Sequence, residues 1–266
     1  MVVLGYIGAL LMGLVLGLIG GGGSILTVPI LVYLFAVDKV TATAYSLFIV
    51  GSTAAVGSAD QIRKGNVHWR SAIWFGVPSI IAVFATRRWI VPALPDHFGN
   101  VLGIELTKGT LLLLLFAVLM LVAAIGMVRK TAPTAQTSTG SRTASLPITL
   151  LEGSMVGMLT GLVGAGGGFL IIPALVMFGG LGMKQAIGTS LVIIAAKSLL
   201  GFGGDLLAGR VMDWTFLLTC TATACAGIII GTRIGARIPG ERLKPLFGWF
   251  VLVMGVAMIV AELTSG

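Results

Sequence analysis

Twenty consecutive residues, Gly109 to Val128, carry a single conventionally polar side chain, Thr110. At about 1.5 Å of rise per residue such a run makes a helix roughly 30 Å long, the depth of one hydrocarbon core. Backbone groups in lipid must be hydrogen-bonded within their own segment, so the run predicts a membrane-crossing helix. The rest of the chain has the same character, with 57% hydrophobic residues, 10% charged residues and a mean hydropathy of +1.07 over 266 residues. Soluble domains carry about a quarter charged residues. The expected fold class is therefore all-α, a polytopic integral membrane protein with the lipid bilayer around it. A net charge of +8 would suggest nucleic acid in a soluble chain. Here the basic residues stand at the ends of apolar runs, where they set orientation, and no nucleic-acid partner is expected. Nothing basic precedes the first apolar run and no small-residue cleavage region follows it, so that run is read as structural and not as a removable signal peptide.

One short feature occurs twice. Gly20-Gly21-Gly22-Gly23-Ser24 lies between two apolar runs and is followed by Pro29; Gly164-Ala165-Gly166-Gly167-Gly168 lies between two others and is followed by Pro173. Both pairs of positions differ by 144 (164−20 and 173−29), so the halves read as copies of one another. The match continues from Ser46-Leu47 to Ser190-Leu191 and from Gly65-Asn66-Val67 to Gly209-Arg210-Val211, while Thr86-Arg87 corresponds to Thr232-Arg233 at an offset of 146. A run of glycines ends one helix, and the next begins with unpaired N–H groups and the positive end of the peptide dipoles, a setting that attracts anions.

Residues 1–128 form the first transmembrane repeat in this reading, 129–147 a polar cytoplasmic linker (RKTAPTAQTSTGSRTASLP), and 148–266 the second repeat. The thirteen residues from Ile25 to Val37 reach only about 20 Å as a helix, too short to cross alone. Each break is thus expected to be the tip of a helical hairpin, followed by three crossings, and an odd number of crossings inverts the second copy. Charge placement favours this arrangement. Of the sixteen basic residues other than Lys197, eleven then fall on one face, among them Arg63, Lys64, Lys184 and Arg233, and five on the other. Parallel copies would give nine to seven, and the excess of positive charge places the richer face, with the linker, in the cytoplasm. Trp69, Trp89 and Trp214 fall near segment ends and read as interfacial anchors.

Chemistry has few places to reside. Gly13, Gly17 and Gly21 recur every four residues, as do Gly157, Gly161 and Ala165, which gives each first helix a smooth packing face; the glycine cluster beyond it exceeds what packing needs. Lys197 lies inside an apolar segment, where an ionisable group costs at least about 2.5 kcal/mol. Ser190, Lys197 and Gly204 share a helical stripe, as do Ser46, Thr53 and Asp60. Lys197 is read as a site residue, the alternative being that it snorkels to an interface or binds a loop carbonyl. The carboxylates, Asp60 and Asp205 included, fall at segment ends or in loops, or in the case of Glu152 just inside a segment. The deep charge is positive, and an anion is the expected passenger. Arg87 and Arg233 serve as guides for anions or as topology anchors. Cys220 and Cys225, five apart on one helix, point about 140° from each other and are not expected to pair. His68 and His97 lack spaced partners, so no metal or cofactor is expected. No nucleophile with a base can be placed, so the chain is not expected to be an enzyme. The glycines match neither a phosphate-cradling loop, which needs Lys then Ser or Thr after the last glycine, nor a dinucleotide fingerprint, which needs a strand and a later acid.

The repeated pattern in GLVLGLIGGGGSILTVPIL and GLVGAGGGFLIIPALV, with AIGTSLVII further on, resembles the TauE/SafE family of sulfite-exporter-like membrane permeases. The resemblance covers nearly the whole chain. It implies transport of small sulfur-containing anions such as sulfite, sulfate or organosulfonates, in the export direction and across the inner cell membrane. The substrate-binding residues expected are Gly21, Gly22, Gly23, Ser24, Ser46, Gly166, Gly167, Gly168, Thr189, Ser190 and Lys197. Ala44-Tyr45-Ser46 stands in the first copy where the second has Gly188-Thr189-Ser190, so the two half-sites differ. An anion channel, or a structural membrane subunit whose glycines serve only packing, is the competing reading. Homo-oligomers are compatible with the sequence without being required by it.

Overall fold

A computed structural model describes residues 2–101, 104–128, 146–164, 166–177, 179–209, 211–238, 248–249 and 251–260. The linker read from the sequence, apart from its last two residues, lies outside the described residues. Helices dominate: α1 (Val2–Ile19), α2 (Ser24–Leu34), α3 (Lys39–Arg63), α4 (Trp69–Ala93), α5 (Lys108–Val128), α6 (Leu146–Val163), α7 (Gly168–Met177), α8 (Met183–Leu207), α9 (Trp214–Gly235) and α10 (Val251–Val260). A short antiparallel ribbon, β1 (His97–Val101) with β2 (Ile104–Thr107), pairs Asn100 with Glu105 between α4 and α5. Apart from this ribbon the architecture is all-α, and α1, α3, α4, α8 and α9 are each long and apolar enough to cross a membrane.

Local chemistry sets the helix ends. Asp38 caps α3 by accepting from the amides of Val40 (3.0 Å) and Thr41 (2.9 Å), and Asp213 caps α9 by accepting from Phe216 (3.0 Å). Each carboxylate satisfies amides that have no partner within the helix. Gly65 and Gly209, at matching positions after α3 and α8, both adopt left-handed φ, +69° and +81°, in the turns that follow these helices. Several helices run beyond their apolar segments. The helix expected over 71–85 continues as a widened turn, Thr86–Ile90, and one further turn to Ala93; that expected over 186–202 ends only at Leu207. Polar residues can extend a helix where neighbouring helices supply their partners.

Close backbone approach orders the helices. α1 and α9 lie side by side and parallel: Gly13 abuts the Ala224 carbonyl, Gly17 abuts Ile228 and Gly231, and from the other helix Gly227 and Gly231 abut the Leu10 and Leu14 carbonyls. A methyl group at any of these positions would overlap the facing backbone. α6 packs along α4 in the same manner, with Gly153 on Phe75, Gly157 on Ser79 and Gly161 on Val83 and Thr86. Small residues of this kind let helices in lipid gain dispersion contacts where no hydrophobic drive is available. At the centre α3 crosses α8 in the opposite sense, with Gly51 against Leu199 and Gly188 against Asn66. α1, α3 and α9 therefore run one way and α4, α6 and α8 the other. Large apolar side chains such as Val3, Ile81, Val122, Leu151, Leu218 and Val253 are exposed on the outside, where lipid takes the place of water.

Candidate functional site

The chain turns at Gly20, whose φ is +80°, and α2 returns alongside α1, so that Gly8 lies beside Ile30 and Gly5 beside the Phe35 ring. The second break turns at Gly164, Gly166 and Gly167, with φ of +75°, +63° and +65°, conformations that a side chain disfavours. The two breaks meet. Gly21 and Gly168 approach so closely that a methyl group on either would overlap the other's backbone. All the described residues of both breaks are buried. The amides of Gly21, Gly22, Gly23, Gly166 and Gly167 donate to no acceptor among the described residues. Ser24, by contrast, turns its hydroxyl back to the Gly21 carbonyl at 2.7 Å and steadies the first turn.

α8 passes both breaks. Ile187 packs on Gly20, Ile194 on Gly166 and Gly168, and the Lys197 ammonium reaches the space beside Gly167. Lys197 is fully buried, and its Nζ donates to Thr160 Oγ1 at 2.9 Å. It does not snorkel. Thr160 stands one turn before Gly164 on α6; its hydroxyl donates in turn to the Gly157 carbonyl at 3.2 Å, leaving lone pairs for the ammonium. No carboxylate pairs with Lys197 among the described residues. From α3, Thr43 packs on Gly164 and Val50 on Gly166. Ser46 lies between them on that helix, fully buried, its hydroxyl without a hydrogen-bond partner among the described residues.

Two of the expected ligands hydrogen-bond within the protein. Thr189 Oγ1 accepts the backbone amide of His68 at 2.9 Å, and Gly188 lies directly beneath the Asn66 carbonyl, so this part of the motif clamps the loop ahead of α4. Tyr45, the residue matching Thr189 in the first half, does the same work: its hydroxyl accepts the Asp213 amide at 2.8 Å ahead of α9. The difference in motif between halves is thus two ways of making one clamp. Ser190 donates to the Ile187 carbonyl of its own helix at 2.9 Å.

The structure also brings in residues that hydropathy alone places elsewhere. Arg87 is neither an exposed anchor nor a guide in solvent; it is completely buried. Its Nη1 lies 3.5 Å from Asp205 Oδ2 and donates to Thr43 Oγ1 at 2.9 Å, and Nη2 lies against Gly164. Asp205 is equally buried, within α8 and not in a loop. A guanidinium and a carboxylate withdrawn together from water each supply what the other loses in solvation. Arg233, the counterpart of Arg87, is exposed. Cys220 and Cys225 are both free thiols.

Residues 6–258 match the family described as sulfite exporter TauE/SafE. Among similar proteins, a "Probable membrane transporter protein" of Xylella fastidiosa (strain 9a5c) is 31% identical, covering 94% of this chain and 91% of its own. "Probable membrane transporter protein YunE" of Bacillus subtilis (strain 168) is 27% identical, covering 100% and 98%, and "Probable membrane transporter protein MJ0441" of Methanocaldococcus jannaschii is 25% identical, covering 94% of each. No solved structure matches the chain. Apolar crossings, paired helix breaks and a match along nearly the whole length converge on one statement: the chain belongs to the sulfite exporter TauE/SafE family, multi-pass membrane transporters and not enzymes.

Proposed function

We propose that the chain exports small sulfur-containing anions, such as sulfite, sulfate or organosulfonates, across the inner cell membrane by alternating access. The observation that carries this reading is the meeting of the two breaks at Gly21 and Gly168, with five amides that have no acceptor among the described residues and one buried ammonium, Lys197, beside them. Amide protons fixed in a low-dielectric setting suit an oxyanion, whose oxygens accept several hydrogen bonds at once. The unpartnered hydroxyl of Ser46 adds a donor.

In this reading the halves are inverted copies, 1–128 and 148–266. Support comes from the opposite running directions of α1 and α6, of α3 and α8, and of α4 and α9, and from the exchange of partners in which α1 packs on α9 while α6 packs on α4. The breaks are in contact, so accommodating the ion parts Gly21 from Gly168. Rocking of one half against the other then exposes the parted site to each face in turn.

The test is flux. Full chain in liposomes takes up [35S]sulfite or [35S]sulfate saturably and shows counterflow; Lys197→Met lowers the maximal rate about tenfold or more, the equivalent of losing one charge-assisted hydrogen bond. Linear, unsaturable uptake indifferent to Lys197→Met would instead mark an anion channel.

A further inference from the structure

The two halves end differently at matching places. At one end the side chain of Arg87 fills the space between α4, α6, α8 and the start of α3, touching Asp205, Thr43 and Gly164. The positions 144 residues away from Asp205, Thr43 and Gly164 are Gln61, Ile187 and Gly20. Among the described residues no arginine enters there, and a cavity of about 280 Å³ opens beside the first glycine break, with Gln61, Ile187 and Thr232 in its wall.

The chemistry of that wall has a sign. Lys64 and Lys184 line it together with the amides of Gln61 and Asn66 and the backbone of Gly17 and Gly235. Asn66 donates to Gln61 Oε1 at 2.9 Å, which fixes the Gln61 amide and leaves its N–H₂ group as donor. Lys184 forms no ion pair among the described residues. A smaller hollow of about 130 Å³ adjoins it across Thr232 and contains Asp60 and Arg233. Among the described residues Asp60 is the single carboxylate lining either space, and Lys64 pairs with it. Lys184 and Arg233 have no ion-pair partner among the described residues. Where Asp205 of the second half pairs with the buried Arg87 of the first, the matching position carries a neutral amide, Gln61, with no buried arginine beside it among the described residues.

We infer that this cavity is an oxyanion-binding site open to the face that bears Lys64 and Lys184, in which the Lys184 ammonium and the Gln61 amide hold the ion before it reaches the glycine breaks. The inference deepens the transport reading and rests on it for the direction of travel, since the charge count puts this face in the cytoplasm, where an exported ion is collected. The ligand class is a small oxyanion: among the described residues the wall offers several N–H donors and no carboxylate of its own.

Equilibrium dialysis of the full chain in detergent micelles against [35S]sulfite, [35S]sulfate and [32P]phosphate tests it. The parent binds at least one of them saturably. Lys184→Gln raises the half-saturating concentration about two- to fivefold, the range of a partly exposed charge pair. Lys184→Arg restores it, and the difference vanishes between about 0.1 and 1 M sodium chloride as screening shortens. Gln61→Glu, which recreates the acid of the other half, raises it about tenfold. Lys184 is exposed, so its variants fold even if Gln61→Glu does not. Lys197→Met serves as the control for the breaks. Binding lost in Lys197→Met yet unchanged in both cavity variants overturns this inference and leaves the transport reading intact. Phosphate binding that responds to Lys184 and Gln61, with neither sulfur anion bound, upholds the cavity and removes the sulfur substrate. A parent that binds none of the three overturns both.

Discussion

The ends of the molecule around Arg87 and Arg233 are built from matching residues and reach opposite outcomes. Around Arg87 a cation, an acid, a threonine hydroxyl and a glycine close on one another with no access for water. Around Arg233 the guanidinium stays outside, glutamine takes the place of the acid, and a cavity remains. In the transport proposal, Asp205 against Gln61 sets a seal against a mouth. Two copies of one build would then differ in state at matching positions.

Three measurements would break or sharpen that contrast. Asp205→Asn leaves the Arg87 guanidinium buried without its counter-charge, and thermal unfolding of the detergent-solubilised chain should show a loss of about 3–5 kcal/mol. Replacing both partners, Arg87→Leu with Asp205→Leu, should recover most of it, because an apolar pair needs no counter-charge. A loss for Asp205→Asn no greater than for a surface change would mean that the seal is not an ion pair in energy. Next in size are the two loop clamps. Thr189→Val and Tyr45→Phe each remove the acceptor of a backbone amide and should cost about 1 kcal/mol apiece, in similar measure, if the two halves use one device. A clear inequality would show that one half is held more firmly than the other. Arg233→Gln should shift stability by no more than about 0.5 kcal/mol, as surface changes do. A large loss there would mean that the mouth, too, is closed by its arginine in the detergent-solubilised chain.

Much of this was legible from residues alone, for physical reasons. Glycine runs inside apolar segments are rare enough that their doubling at a constant offset reveals the breaks, and the cost of a buried ammonium draws attention to Lys197. Its partner Thr160 is less visible, since a lone threonine in an apolar helix usually bonds its own backbone. The signal was its place one turn before Gly164. The seal escaped because hydropathy ends a helix at its first charges. Arg87 and Asp205 each lie just past an apolar run, and only the packing of α4, α6 and α8 shows that the helices continue and bury the two together. The Thr189 bond to the His68 amide escaped for a related reason: the loop that it restrains comes beside α8 only in the folded chain.

The contact of Gly21 with Gly168 has a mechanical corollary. Two main chains touch there with no side chain between them to act as a cushion. In the transport proposal this bare contact has to part before an ion can pass between the breaks, so bulk added at either glycine should jam the cycle rather than weaken binding.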